Sequence, residues 1–247
     1  MGRGANSVYP RSAYSNPMIT LWCRRRSTGA RLLVESLVGS GHPAQRTGQL
    51  NQVVPGLVVN WGSHGTPAGP GLVVLNSRLI PDKLAELQRL SEGGIRVPRF
   101  RTGRPETAGW LARTLHHQEA RDLLAGLTVG DYWTEYTPTT HEFRVHIFDQ
   151  RVIRVGLKVP RTANPHPRFR SWNAGWKFSY GTDCQALVTN PIRQLGRDVL
   201  RTVGYDFGAV DIGVDPAGHP LVFEVNSAPG IEGGTVRAYA DAILRRL

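Results

Sequence analysis

The sequence is poor in cysteine. Cys23 and Cys184 are the only two in 247 residues. That excludes a disulfide scaffold and a cysteine-based zinc site, and it fits a reducing cytoplasm. No apolar run approaches the roughly 18 residues that a membrane span needs. The opening stretch, Met1 to Pro17, lacks the apolar core of a signal peptide and reads as a mobile tail rich in Gly, Ser, Asn, Tyr and Pro. No internal repeat is present, and neither a P-loop nor a Gly-x-Gly-x-x-Gly following a strand occurs. His141-Glu142-Phe143-Arg144-Val145-His146 approaches the zinc-protease pattern, but the second His comes one residue late. On a strand the two histidines would face opposite ways. His116-His117 reads as an exposed loop pair rather than a metal site.

Negative charge is scarce as well. Asp plus Glu number 19 against 30 Lys plus Arg, a net charge of +11. Such an excess suits nucleic acid, an acidic surface, or a phosphorylated ligand held in a cleft. With 40% hydrophobic residues the chain can build a core, so it is not a disordered basic tail. Its length suits one large domain or two packed lobes.

The elements alternate irregularly. Ile19–Cys23 reads as a strand, Thr28–Val38 as a helix stopped by Gly39, Gly41–Gln52 as loop, and Leu57–Asn60 as a second strand. This is a reduced β-α-β unit with a parallel pair. A helix is expected over Pro81–Glu92, with strands over Trp110–Thr114 and Tyr132–Thr137. Glu142–Phe148 and Val152–Val159 form a hairpin over Asp149-Gln150. Pro191–Val203 is helical, Phe207–Val214 and Pro220–Asn226 pair, and a last helix covers Thr235–Leu247. The class is mixed α/β, or α+β.

The strongest chemical signal lies near the C-terminus. Ala209-Val210-Asp211-Ile212-Gly213 is followed, across Asp215-Pro216-Ala217-Gly218, by Phe223-Glu224-Val225-Asn226-Ser227-Ala228-Pro229-Gly230. A four-residue turn there places Asp211 opposite Val222 and diagonal to Glu224, with Glu224 and Asn226 on the same face. Two carboxylates and an amide oxygen are hard ligands that suit Mg²⁺, which leaves positions for water and phosphate.

These residues resemble the ATP-grasp superfamily, its RimK-like peptide ligases in particular. Asn60-Trp61-Gly62 is also similar to a motif of short ATP-grasp proteins encoded by phages. The resemblance implies a two-lobed ATP-grasp fold with a truncated N-terminal β-α-β domain over 18–78. Its first lobe would span 79–138, and its second, with the metal site, 139–247. It implies a bacterial or phage-infected cytoplasm, and that Asp211, Glu224 and Asn226 hold one or two Mg²⁺ (or Mn²⁺) ions on ATP. It also implies that Glu135, Tyr136, Thr137 and Pro138 meet adenine, that Glu142 meets the ribose, and that Arg113 meets the α-phosphate. Adenine needs one donor and one acceptor and the ribose diol an acceptor, which these groups supply.

The hairpin presents a cationic face. Arg144, Lys158 and Arg170 are the candidates for the triphosphate and the transferring phosphoryl group, and Arg170-Ser171 resembles a phosphate-contacting pair of RimK-like enzymes. Lys83 reads either as a further nucleotide contact or as a helix-surface lysine. Trp172 and Trp176 are expected to pack the lobe. The stretch that follows Arg113, His116–Asp122, carries no Gly where the family has a Gly-rich loop.

The implied reaction is ATP-dependent carboxylate–amine ligation, with an unidentified carboxylate and amine that could belong to a peptide or protein. One rival reading is a non-catalytic ATP-binding relic, motivated by the Gly-free loop. Another is a basic nucleic-acid-binding protein. Seven Lys or Arg and no Asp or Glu lie between Arg151 and Lys177, the stretch expected to face phosphates. Arg24–Arg26 and Arg96, Arg99, Arg101 and Arg104 remain over, and leave room for an acidic macromolecular partner.

Overall fold

The computed structural model describes residues 16–24, 26–115 and 130–247. The expectations for most of the tail and for His116–Asp122 fall outside the described residues.

The N-terminal part is a parallel sheet in the order β2 (Ala44–Thr47), β1 (Met18–Cys23), β3 (Gly56–Trp61), β4 (Leu72–Leu75). Strands β1 (Met18–Cys23) and β3 (Gly56–Trp61) are nearly continuous apolar runs and are buried throughout apart from Met18, as both-sides-covered parallel strands are. Helix α1 (Thr28–Gly39) is capped by Ser27, whose side chain accepts from the Ala30 amide, and buries Ala30, Leu33 and Leu37. The stretch expected as loop over 41–52 is in part a strand. β2 (Ala44–Thr47) pairs parallel to β1. Its polar sequence hides it, because an edge strand carries no apolar run. β4 (Leu72–Leu75) adds a fourth strand.

Helix α2 (Lys83–Glu92) starts two residues later than its sequence suggests. Asp82, not a residue before Pro81, caps it by accepting from the Ala85 amide at 2.8 Å. A small antiparallel sheet follows in the order β5 (Phe100–Arg101), β7 (Tyr132–Glu135), β6 (Trp110–Arg113).

The largest sheet is antiparallel, in the order β10 (Trp176–Ser179), β9 (Arg151–Pro160), β8 (His141–Phe148), β11 (Phe207–Val214), β12 (Pro220–Asn226). β8 (His141–Phe148) turns into β9 (Arg151–Pro160) through Asp149 and Gln150, both at positive φ, as a tight hairpin requires. β10 (Trp176–Ser179) and the short helix α3 (Thr182–Leu187) have no counterpart in the sequence reading. α4 (Asn190–Val203) precedes β11 (Phe207–Val214) and β12 (Pro220–Asn226), and α5 (Gly233–Leu244) ends the fold.

One face of this sheet, with Phe143, Val145, Ile147, Ile212 and Val225, packs on α4. The other face is covered at one end only. There Phe148 and Phe207 meet Trp61 of β3 and Tyr239 of α5. A bulge after His146 turns Ile153 toward this cluster, not with Val155 as simple alternation predicts. Asn76 ties the two sheets together. It donates from its backbone to the Asp206 carboxylate at 2.6 Å and from its side chain to the Phe207 carbonyl at 2.9 Å.

Candidate functional site

The uncovered end of the sheet forms the floor of a cleft of about 620 Å³, walled on the far side by α2, β6 and β7. β8, β11 and β12 meet there with Arg144 opposite Asp211 and Asp211 opposite Glu224. The last pairing corrects the expected register. A bulge lets the chain slip past Phe223, so Asp211 faces Glu224 directly and not Val222. Gly213 permits this. A Cβ there would lie 2.6 Å from the Phe223 ring and from the Thr139 methyl, so any side chain would displace the bulge.

Arg144 donates to both oxygens of Asp211, each at 2.7 Å. Burial works against the guanidinium charge, but Asp211 outweighs it and raises the Arg144 pKa above its usual value. Asn226 donates to Glu224 at 2.9 Å. Lys158 and Arg170 converge on Glu142, at 3.2 and 3.5 Å, and Thr139 also donates to Glu142 at 3.1 Å. Phe178 on β10 lies beneath both Arg144 and Lys158, 4.3 and 4.8 Å from its ring centre, and Trp176 lies beneath Arg170 at 4.8 Å. Phe178 belongs to no site motif of the sequence. Its only signal was the alternation Trp176-Lys177-Phe178-Ser179.

The cleft brings together Arg113, Glu135, Tyr136, Thr137, Glu142, Arg144, Lys158, Arg170, Asp211 and Glu224. Pro138 is not part of its wall, and Asn226 meets it through Glu224. Glu135 sits at the mouth in a two-pronged pair with Arg99, 2.6 Å at each contact, whose hydrogen bonds lower the Glu135 pKa. Glu142 does not stand alone as a ribose acceptor, since it carries the cation cluster. Arg113 donates to the Thr134 hydroxyl at 3.2 Å. Trp172 is not packed in the lobe as expected. It is 63% exposed at the rim, under the Arg161 guanidinium. Of the seven cations between Arg151 and Lys177, the cleft is lined by Lys158, Arg168, Arg170 and Lys177, while Arg151, Arg154 and Arg161 lie elsewhere.

Lys83 is neither a surface lysine nor a free cation in the cleft. It donates to the Val225 carbonyl at 2.6 Å and lies 3.4 Å from Glu86. Glu86, 5% exposed, accepts from the Val225 amide at 2.7 Å. Burial pushes the Glu86 pKa up to about 7, against the pull of Lys83 and the amide. Burial also works against the Lys83 charge, but Glu86 and then Glu224 outweigh it and raise its pKa.

The donor set fits a hard divalent cation. Asp211 and Glu224 are paired across β11 and β12 and supply carboxylate oxygens, and Asn226, bonded to Glu224, carries an amide oxygen. Among the described residues no group of three or more His, Cys, Asp or Glu gathers as a metal site. A two-carboxylate site of this kind leaves positions for phosphate and water, which is how Mg²⁺ is usually held.

A parallel N-terminal sheet followed by two lobes that close on such a cleft is the ATP-grasp fold, and the chain adopts it. Its backbone is similar to the ATP-grasp ligase PsnB, solved with a minimal precursor, at TM-score 0.66 and 14% identity over 95% of this chain and 100% of that one. It is similar to the macrocyclase MdnC from Microcystis aeruginosa, solved with its precursor peptide, at 0.59 and 12% over 92% and 99%. It is also similar to a RimK-domain ATP-grasp protein from Sphaerobacter thermophilus, at 0.59 and 16% over 92% and 98%. No family model matches the sequence, and no curated protein matches it.

Proposed function

We propose that the protein is an ATP-dependent carboxylate–amine ligase. The observation that carries this reading is the Asp211–Glu224 pair, set beside Arg144 on the floor of a cleft rich in cations. The structural neighbours support the ligands. PsnB has been solved with AMPPNP and a precursor peptide, and with Mg and ADP. We therefore assign ATP, Mg²⁺ and a peptide-borne carboxylate and amine to this chain.

Asp211, Glu224 and Asn226 hold the cation. Mg²⁺, when bound, neutralises triphosphate charge. Each Asp211 oxygen keeps a second lone pair for the cation, and a cation that draws Asp211 away from Arg144 frees that guanidinium for phosphate oxygens. Lys158 and Arg170 are held in reserve by Glu142 in the same way. Phe178 and Trp176 keep all three cations on the cleft floor during the exchange. Arg113 meets the α-phosphate, Glu135, Tyr136 and Thr137 border the adenine, and Glu142 borders the ribose.

The substrate carboxylate attacks the γ-phosphorus, the bond to the β-phosphate oxygen breaks, and ADP leaves. Arg144, Lys158 and Arg170 stabilise the charge spread over the transferring group. An amine then attacks the acyl-phosphate, forming an amide and releasing phosphate and a proton. No side chain of the chain serves as nucleophile, so positioning supplies much of the rate.

The test is incubation with ATP, Mg²⁺ and a library of peptides bearing carboxylates and amines. Ligation predicts one ADP per amide formed, with loss of one water from the joined peptide by mass spectrometry. Nucleotide binding without ADP formation across the library would instead identify a relic. Binding of DNA or RNA with a steep salt dependence, unchanged by ATP, would contradict the reading.

A further inference from the structure

β12 lies at the edge of its sheet. An edge strand satisfies alternate backbone groups on its partner and turns the others outward. Val225 pairs with Val210, and its outward amide and carbonyl meet no strand. They meet two side chains of α2. Glu86 accepts from the amide at 2.7 Å and Lys83 donates to the carbonyl at 2.6 Å.

The amide belongs to the peptide plane that starts at Glu224, and the carbonyl to the plane that ends at Asn226. Gripping both planes fixes the two Cα atoms from which Glu224 and Asn226 project into the site. Peptide planes are rigid, so little freedom is left between clamp and ligand. The Val225 side chain is 1% exposed on the opposite face, in the α4 core, so the strand cannot rotate away from the clamp. Glu86 and Lys83 are three residues apart on one helix, which places them on the same face, one beside the other. Leu87 and Leu90 of the same helix are buried and anchor it.

We infer that Lys83 and Glu86 are positioning residues: acting from α2 through the Val225 peptide, they hold Glu224 and Asn226 in the arrangement that binds the divalent cation. The inference rests on the proposed role of Glu224 and Asn226. It also makes the spacing between α2 and β12 a determinant of cation affinity, because α2 forms the opposite wall of the cleft.

The experiment uses Mn²⁺ with ADP as probe, read by water-proton relaxation. It compares the whole protein with Lys83→Met, Glu86→Leu, Glu86→Gln and Glu224→Ala, each first shown to be folded by its thermal melt. Outer-shell groups typically contribute about 10–100-fold to metal affinity. Lys83→Met and Glu86→Leu are expected to weaken Mn²⁺ binding by about tenfold. Glu86→Gln keeps an acceptor for the Val225 amide and is expected to retain affinity within about threefold, a rescue that a charge effect alone would not give. Should Glu86→Leu not fold, Lys83→Met against Glu86→Gln decides. Wild-type Mn²⁺ affinity in folded Lys83→Met overturns the inference. Unchanged affinity in Glu224→Ala overturns the underlying site assignment instead, and the inference with it.

Discussion

One face of the five-stranded sheet has two ends that differ in what covers them. At the covered end, His146 on β8 is fully buried beneath α5. The Tyr239 hydroxyl donates to the Gly208 carbonyl at 3.0 Å, so it accepts from His146 Nδ1–H at 3.2 Å. His146 Nε2 then accepts from the Tyr180 hydroxyl at 2.9 Å. Every proton in this chain is assigned, and the ring is neutral. Burial first, then Arg144 and Arg154, holds its pKa well below 6.5. Two residues back along the same strand, Arg144 is charged and bound to Asp211, and Glu142 carries two cations. Both ends come from the same alternation of side chains. At the covered end His146, Tyr180 and Tyr239 are satisfied by one another and by the Gly208 carbonyl, all neutral groups. At the open end charges are satisfied by one another, and a charged ligand can take the place of either partner.

That contrast predicts how substitutions divide between activity and stability. The largest effect belongs to the open end. Asp211→Asn should slow ADP formation by at least about a thousandfold, roughly 4 kcal/mol, while the thermal melt shifts by only a few degrees. A collapse of the fold in Asp211→Asn would break the comparison. Phe207→Ala should do the reverse. Phe207 is fully buried between Trp61 and Phe148, with both ring centres at 5.5 Å. Its truncation should cost about 3–5 kcal/mol in a denaturant melt.

A smaller effect sharpens the comparison through pH. The depressed His146 pKa means that the unfolded chain binds a proton the native one refuses. Its contribution to stability is complete above pH 6.5 and is lost as pH falls below that value. The slope approaches about 1.4 kcal/mol per pH unit. Denaturant melts between neutral and mildly acidic pH should show this slope in the wild type and a flatter one in His146→Gln. The smallest effect is at the rim. Arg99→Ala breaks an exposed, solvent-screened pair with Glu135 and should leave the denaturant midpoint essentially unchanged.

The strands that carry the site were readable because their alternation is clean. Phe207–Val214 and Pro220–Asn226 have the expected bounds. The register between them was not. A bulge has no composition of its own, and Gly213, which makes room for Phe223, looks like any strand glycine. β2 was hidden because its edge sequence is polar, and β10 because it is short and follows an irregular stretch broken by Pro165 and Pro167. The clamp on Val225 joins residues about 140 positions apart, which no local pattern reports.

The positive charge is partly resolved in the same terms. Arg96 pairs with Asp215 at 2.8 Å and Arg99 with Glu135, so neither is unclaimed. Lys158, Arg168, Arg170 and Lys177 line the cleft. For these residues, local carboxylates and the proposed polyphosphate ligand are sufficient to account for the charge.

The central claim is that the open end binds a nucleotide through a divalent cation held by Asp211 and Glu224. Calorimetric titration with AMPPNP, in Mg²⁺ and in excess EDTA, tests it most directly on the wild type and on Asp211→Asn. The account predicts that removing Mg²⁺ weakens wild-type binding by at least about tenfold and changes little in the variant. Equal affinity with and without Mg²⁺, or the same Mg²⁺ dependence in Asp211→Asn, would contradict it.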